Sequence, residues 1–254
     1  MSSTYSNILL NLMQDEVREA VLANAEHVSL QPLEIVQEAY EPVKFVFFPE
    51  GCVFSLIAAL EGERDVEVGV IGAEGATSEA IVLGGDRCAY ALHAQITGTA
   101  WRVPVDAFRS ALNAHEPLRS LMLNFVAAQH AQVVSTLLAR SRGTIEERLA
   151  RWILMTLDRT GGDHFSITHA SLAWLLCTQR PRVTDAMHIL EGNRVVRSTR
   201  GEITMLDRPA LEAATGGTYG NAEGEYHRLL GVDFRSKLTS SSTRLYGEPD
   251  RQIG

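Results

Sequence analysis

The spacing of apolar residues changes twice along the chain, and each change marks a change of architecture. Residues 7–26 carry Ile8, Leu9, Leu12, Val17, Ala20, Val21 and Leu22 near helical spacing, which predicts an amphipathic helix. Residues 28–104 instead hold short runs such as KFVFF, CVFSLIAAL, DVEVGVIG and AYALHAQITG, separated by Gly, Pro, Glu and Asp. Val66, Val68 and Val70 alternate with Glu67 and Gly69. Short alternating runs with frequent glycine turns predict a β-sandwich or roll. At Pro104 the period changes to threes and fours. No glycine falls between Val105 and Arg140, and Pro117 fits a first helical turn.

The spacing predicts one long helix over about 117–140. Its apolar face is wider than one narrow stripe, which suggests pairing with a second copy of itself. Leu118, Leu121, Met122, Phe125, Val133 and Leu137 are the candidate residues of that homodimer interface. Ser141, Arg142 and Gly143 then read as a hinge. Thr144 followed by Glu147 is a capping-box pattern opening the next helix, which Gly161-Gly162 ends. The expected organisation is a sensor β-roll with its long helix over 1–142, a second domain over 143–215, and a short helix with a flexible tail over 216–254.

The stretch 167–207 carries the chemistry. Thr168 can cap a short helix bearing Leu172, Ala173, Leu175 and Leu176. A break at Cys177, Thr178 and Gln179 follows, and Pro181 suits the start of a second helix. In that helix Val183, Met187 and Leu190 point inward. Arg180, Arg182, Thr184, Asp185 and His188 point away. Two short strands, Val195–Arg197 and Ile203–Leu206, are joined by Ser198-Thr199-Arg200-Gly201. Helix, tight turn, helix and hairpin form the pattern of a winged helix-turn-helix. Its second helix fits a major groove, where arginine matches guanine O6 and N7. Thr168, His169, Thr178, Gln179, Arg180, Arg182, Thr184, Ser198 and Arg200 are the candidate contacts to double-stranded DNA.

Charge looks adverse at first. The chain has 254 residues with 23 basic and 31 acidic side chains, a net charge of -8. The excess is uneven. Residues 1–140 hold 8 basic and 17 acidic side chains, whereas residues 141–215 hold 10 and 9. Arg180, Arg182, Arg194, Arg197 and Arg200 cluster in the reading segment. Acidity in the rest would hold non-specific DNA affinity low.

Other chemistries are excluded or lack support. Cys52, Cys88 and Cys177 are odd in number and far apart, so neither a disulfide framework nor a zinc knuckle is expected. A redox role for them would rest on residue type alone. His164 and His169 are five apart, which is not metal-ligand spacing on one helix face. No metal and no cofactor is expected. No nucleophile elbow, Walker loop, dinucleotide fingerprint or H-E-x-x-H occurs, so the chain does not read as an enzyme. No run reaches the roughly 18 apolar residues of a membrane span, and no signal pattern opens the chain, so a cytoplasmic location is expected.

EERLARWIL, ITHASLAWLL, RPRVTDAMHILEGNRVVR and RGEITMLD together resemble the Crp-Fnr family of bacterial transcription regulators. PEGCVFSLIAALEGERDVEVGVIGAEG is similar to the front of that family's cyclic-nucleotide-binding β-roll. The resemblance covers about residues 20–215. It implies an α+β chain: an N-terminal double-stranded β-helix or jelly roll, a long dimerisation helix and a C-terminal winged helix-turn-helix. It also implies a homodimer on a palindromic DNA site, an effector in the roll, and RNA polymerase as a partner. Arg180 matches the family's base-reading arginine. Pro181 stands where a base-reading glutamate is common, and Asp185 where some members carry another arginine. Cys177 replaces a glycine of the turn, a position that favours left-handed backbone.

Cyclic-nucleotide-binding members hold phosphate and ribose through Gly-Glu-Leu and Arg-Ser/Thr-Ala elements. Here Ser78-Glu79-Ala80 and Arg87-Cys88-Ala89 stand there. Glu79, Arg87 and Cys88 are the candidate effector pocket. The missing glycine and the thiol in place of a hydroxyl point to an effector other than a cyclic nucleotide. The alternative reading is a ligand-sensing roll that acts through protein partners without binding DNA.

Overall fold

The computed structural model describes residues 5–59 and 65–234. The chain opens with two short helices, not one: α1 (Ile8–Leu12) and α2 (Asp15–Leu22). Met13 and Gln14 between them are extended. Asn7 sets this start. Its side chain accepts from the Leu10 amide at 3.1 Å and donates to the Pro49 and Gly75 carbonyls. Seven strands follow: β1 (Glu26–Leu30), β2 (Ile35–Gln37), β3 (Phe45–Glu50), β4 (Val53–Ala58), β5 (Val66–Ile71), β6 (Ala91–Ile96) and β7 (Gly98–Pro104). The short helix α3 (Glu79–Val82) lies between β5 and β6. The strands make two antiparallel sheets, ordered β1-β7-β3 and β2-β6-β4-β5. Phe48, Phe54, Leu56, Leu92 and Val103 fill the space enclosed by them.

Helices α4 (Val105–Ala114) and α5 (Glu116–Arg142) come next. Twenty-seven residues at about 1.5 Å rise make α5 roughly 40 Å long. It is long and apolar enough to cross a membrane by composition alone, yet its buried residues pack in the fold. Strand β5 is an edge strand, and α5 covers that edge. Gln132 presents its amide to Val70, accepting from N–H at 2.8 Å and donating to C=O at 3.1 Å. The free backbone groups of Val70 on that edge are thereby satisfied. A Cβ at Gly75 would collide with the Phe125 ring, so glycine permits this close packing.

The remaining elements are α6 (Ile145–Thr160), β8 (His164–Ser166), α7 (His169–Leu175), α8 (Arg180–Gly192), β9 (Val196–Thr199), β10 (Glu202–Met205), α9 (Arg208–Ala213) and α10 (Asn221–Leu230). The capping box is formed: Thr144 Oγ1 accepts from the Glu147 amide, and the Glu147 carboxylate accepts from the Thr144 amide. The hairpin β9–β10 gains a third strand, β8, which sequence spacing did not single out. The chain is thus α+β: a β-roll, a long helix and a winged helix-turn-helix.

Two further expectations need correction. Val232 and Phe234, placed in a flexible tail, are buried in the core beside Tyr226. The aromatic rings of Tyr226 and Phe234 meet edge-on at 5.5 Å, which anchors this stretch. Residues 235–254, the rest of the expected tail, lie outside the described residues. The second correction concerns the long helix. Leu118, Met122 and Phe125 are fully buried against the chain's own roll, so no second copy can reach them.

Candidate nucleic-acid interface

The reading unit is built by two caps and a strained turn. Thr168 accepts from the Ser171 amide at 3.0 Å and starts α7. Cys177 then adopts φ 47°, the left-handed conformation that reverses the chain. A side chain there costs on the order of 1 kcal/mol relative to glycine. Cys177 Sγ also lies 3.3 Å from the Asp65 carbonyl, which ties the turn to the roll. Gln179 caps α8 by backbone geometry, with Arg180 and Pro181 as its first residues. Val183, Ala186, Met187 and Leu190 bury one stripe of α8 against α6 and α7.

The opposite side of α8 is open. Gln179, Arg180, Arg182, Asp185 and His188 are exposed. Arg180 and Arg182 form no ion pair among the described residues, so their guanidinium donors are free. Thr178 is half-buried and gives its amide to the Ala173 carbonyl. His169 and Thr184 meet each other instead of facing out: Nδ1 and Oγ1 are 3.0 Å apart, joining α7 to α8. In the wing, Ser198 donates its amide to Glu191 at 2.7 Å. Arg200 takes φ 53° and Gly201 φ 82° at the hairpin tip, the two positive values that a tight two-residue turn needs. Arg200 projects there, exposed.

This unit is fastened to the roll. Val53, Ile57, Val70 and Ile96 of the roll share one apolar core with α6, α7 and α8. Glu67 of β5 accepts from the Trp152 indole at 2.9 Å and from Ser55 at 2.5 Å. Burial pushes the Glu67 carboxyl up to about 7. Arg140 donates to the Glu67 and Leu175 carbonyls, bridging roll and α7. Arg159 of α6 is wholly buried and pairs with wholly buried Glu74 at 2.8 Å. A Cβ at Gly72 would fall 2.5 Å from Arg159 Cβ, so glycine makes room for this arginine. The Arg159 guanidinium also lies over the rings of Tyr226 and Phe234, at 5.9 and 5.5 Å. His93 of β6 stacks on Trp174 of α7 at 5.5 Å.

Of the candidate effector residues, Glu79 and Cys88 both border Tyr90, while Arg87 is bonded elsewhere. Glu79 accepts from the Tyr90 hydroxyl, and burial raises its carboxyl. Cys88 is buried nearby, and its thiol is raised for the same reason. Arg87 turns outward and donates to the Tyr40 carbonyl at 2.7 Å, half-exposed. Cys52 is buried and pushed up to about 12, so its thiolate form is suppressed. Among the described residues no three His, Cys, Asp or Glu side chains gather to hold a metal.

On α5 the open side is a different row from the one expected. Leu123, Ala127, His130, Val134, Leu137 and Ser141 are exposed, at alternating steps of four and three. Val133 is half-buried beside that row and Leu137 lies in it, whereas Leu121 is half-buried on the other side, against the roll. Apolar residues occur all round α5, so periodicity alone could not tell which side faces the roll.

Residues 147–214 match the family model of the Crp-like helix-turn-helix domain. This segment is a Crp-like helix-turn-helix domain. Over three quarters or more of its length the chain has the fold of Crp/Fnr regulators. A Crp/Fnr-family protein from Eubacterium rectale superposes with a TM-score of 0.62 at 14% identity, over 83% of this chain and 99% of that one. FixK2 from Bradyrhizobium japonicum gives 0.61 at 16% identity, over 75% and 96%. A transcriptional regulator of the CRP family from Thermus thermophilus, TTHB099, gives 0.59 at 17%, over 75% and 96%. No curated protein sequence matches the chain. The Crp-like domain, with its open α8, supports a DNA-binding transcription regulator.

Proposed function

We propose that this chain is a cytoplasmic transcription regulator that binds double-stranded DNA as a homodimer on a palindromic site. The observation that carries the reading is the exposed, unpaired arginine pair Arg180 and Arg182 at the start of α8 in a Crp-like domain. First-turn side chains of a reading helix reach base edges, and arginine matches guanine there. Thr168, at the start of α7, and Arg200, at the wing tip, are placed to meet phosphates on either side. His169 and Thr184 serve by holding α7 against α8. RNA polymerase is the expected partner once the site is occupied.

The homodimer would form through the open row of α5. Steps of four and three between Leu123, Ala127, His130, Val134 and Leu137 make a coiled-coil seam. Two copies joined there would present two α8 helices to half-sites about one helical turn apart. The effector is something other than a cyclic nucleotide: Ser78 and Cys88 replace the glycine and the hydroxyl of the nucleotide-binding elements, and Arg87 is bonded to the Tyr40 carbonyl.

Selection of bound DNA by the purified chain tests the reading. A palindromic motif is expected. Arg180→Ala and Arg182→Ala should each weaken binding to that motif by about 1–3 kcal/mol and leave thermal stability unchanged. Leu137→Glu should yield monomers by light scattering and lose the motif together. Absence of any enriched motif would point to a module that acts through protein partners.

A further inference from the structure

Helix α8 carries one carboxylate that its fold does not use among the described residues, since Glu191 is bonded to the Ser198 amide. At about 100° per residue, the ridge opposite the buried stripe Val183, Ala186, Met187, Leu190 runs through Pro181, Asp185 and His188. Arg180 and Arg182 lie on its two flanks. Asp185 is therefore at the centre of the face that would enter the groove. It is the sixth residue of α8, beyond the first turn, where a carboxylate would offset the helix dipole. Arg182 stands at i−3, yet no ion pair joins them among the described residues. Asp185 is exposed and has no hydrogen-bond partner among those residues either. A bare carboxylate on a DNA-facing ridge repels phosphates unless something in the groove repays it.

We propose that Asp185 is a specificity-determining residue that selects cytosine in the half-site. This rests on the reading of DNA by α8. An ionised carboxylate only accepts hydrogen bonds. On the major-groove side, guanine offers the acceptors O6 and N7, thymine offers O4, and adenine sets N7 beside its N6 donor. Cytosine alone offers a donor, N4–H, with no acceptor on its own edge. Asp185 thus rewards cytosine and rejects the other three by repulsion. The same helix carries free arginines one turn earlier, so donors for guanine and an acceptor for cytosine stand side by side. Exclusion of wrong bases by a like-charged group is specificity obtained by repulsion as much as by attraction.

The test is selection of bound DNA with the full-length wild type, Asp185→Asn and Asp185→Ala. Thermal melting should be the same for all three, because Asp185 has no structural partner. The wild type should require cytosine at one position of each half-site, by about tenfold or more over other bases. Asp185→Asn should move that preference to adenine, since an amide matches adenine N6 and N7. Asp185→Ala should leave that position indifferent while every other position keeps its base. Unchanged motifs in both variants, with affinity rising equally on all sequences, would overturn the proposal and leave the carboxylate as a mere repellent. A wild type that enriches no motif would remove it too, but by failure of α8 as a reading helix, which the unchanged-motif result does not imply.

Discussion

The reading face and the joint behind it are made of the same residue types and use them in opposite ways. On the face, Arg180, Arg182, Arg194, Arg197 and Arg200 are exposed and form no ion pair among the described residues. At the joint, Arg140, Arg151, Arg159 and Arg208 are held by carbonyls, hydroxyls and carboxylates. Free arginines leave their donors for a polyanion, and exchange little energy with the fold. The joint arginines are committed to the fold: moving Arg159 or Arg208 would strand a buried carboxylate, and moving Arg140 or Arg151 would leave carbonyls and a hydroxyl unpaired. Net charge therefore says little about function here. What matters is how many arginines remain unspent, and where. The joint also joins three parts of the chain. Tyr226, from beyond the Crp-like domain, donates to Gln129 of α5 at 2.6 Å and lies under Arg159 of α6. Tyr219 donates to Asp158 of α6 at 2.5 Å, and Arg208 reaches the same carboxylate at 2.8 Å. The reading unit is thus clamped to the roll and to the long helix at once.

The largest effect should come from breaking the clamp. Arg159→Ala leaves Glu74 charged and buried, and should cost about 3–5 kcal/mol of unfolding free energy in urea. Replacing both partners, Arg159→Met with Glu74→Leu, should recover most of that loss. A single variant that loses under about 1 kcal/mol would mean that the pair is solvated and the joint open. DNA binding by the double variant sharpens the comparison: the face should still work if its arginines are independent of the joint.

The next effect is a dependence on pH. Glu67 is flanked by Ser55, Trp152, Arg140 and Arg151, and burial still dominates, raising the carboxyl from 4.5 to about 7. Unfolded, this group releases its proton near 4.5. Between those two values the folded chain holds more protons than the unfolded one, so stability falls as pH rises through that window and then levels off. The swing is on the order of 3 kcal/mol. Asp158 is raised in the same direction, to about 6, so the wild-type profile mixes both groups. Glu67→Gln isolates one of them. Its profile should be flatter by that amount between pH 4.5 and 7, with its gain over the wild type largest near pH 8. An equal slope in both proteins would show that Glu67 is ionised throughout.

The contrast between face and joint also decides what the sequence could tell. Local signals were legible. The capping box at Thr144, the left-handed position at Cys177, the cap at Thr168 and the wing glycine Gly201 each act within four residues, so spacing reveals them. The outward side chains of α8 followed from the same local period, except Thr184, which turns to His169. The joint was not legible, because its partners are far apart in the chain. Nothing near Arg159 marks Glu74 as its partner, and nothing near Phe234 distinguishes a packed aromatic from a tail residue. The long helix failed for a related reason. Leu118, Met122, Phe125 and Leu137 look alike in sequence, and only the position of the roll decides that the first three are core and the last is open. At the candidate effector residues, spacing gave positions but not partners: nothing near Arg87 marks the Tyr40 carbonyl as its acceptor.

The smallest effect tests the outer limit of the reading face. Arg200 sits at the tip of the wing, exposed, with no hydrogen bond or ion pair among the described residues. Its backbone is already left-handed, so replacement by another side chain adds no new strain. Arg200→Gln should therefore leave the melting temperature unchanged. If the tip meets phosphate, binding should weaken by the same modest factor on every sequence, and the slope of log affinity against log salt should shrink by about 1. Arg180→Ala should differ in kind, losing preference at one base position and not merely affinity. A change of base preference in Arg200→Gln would place the wing in a groove. An unchanged salt slope would place it off the DNA, and would confine the working face to α8.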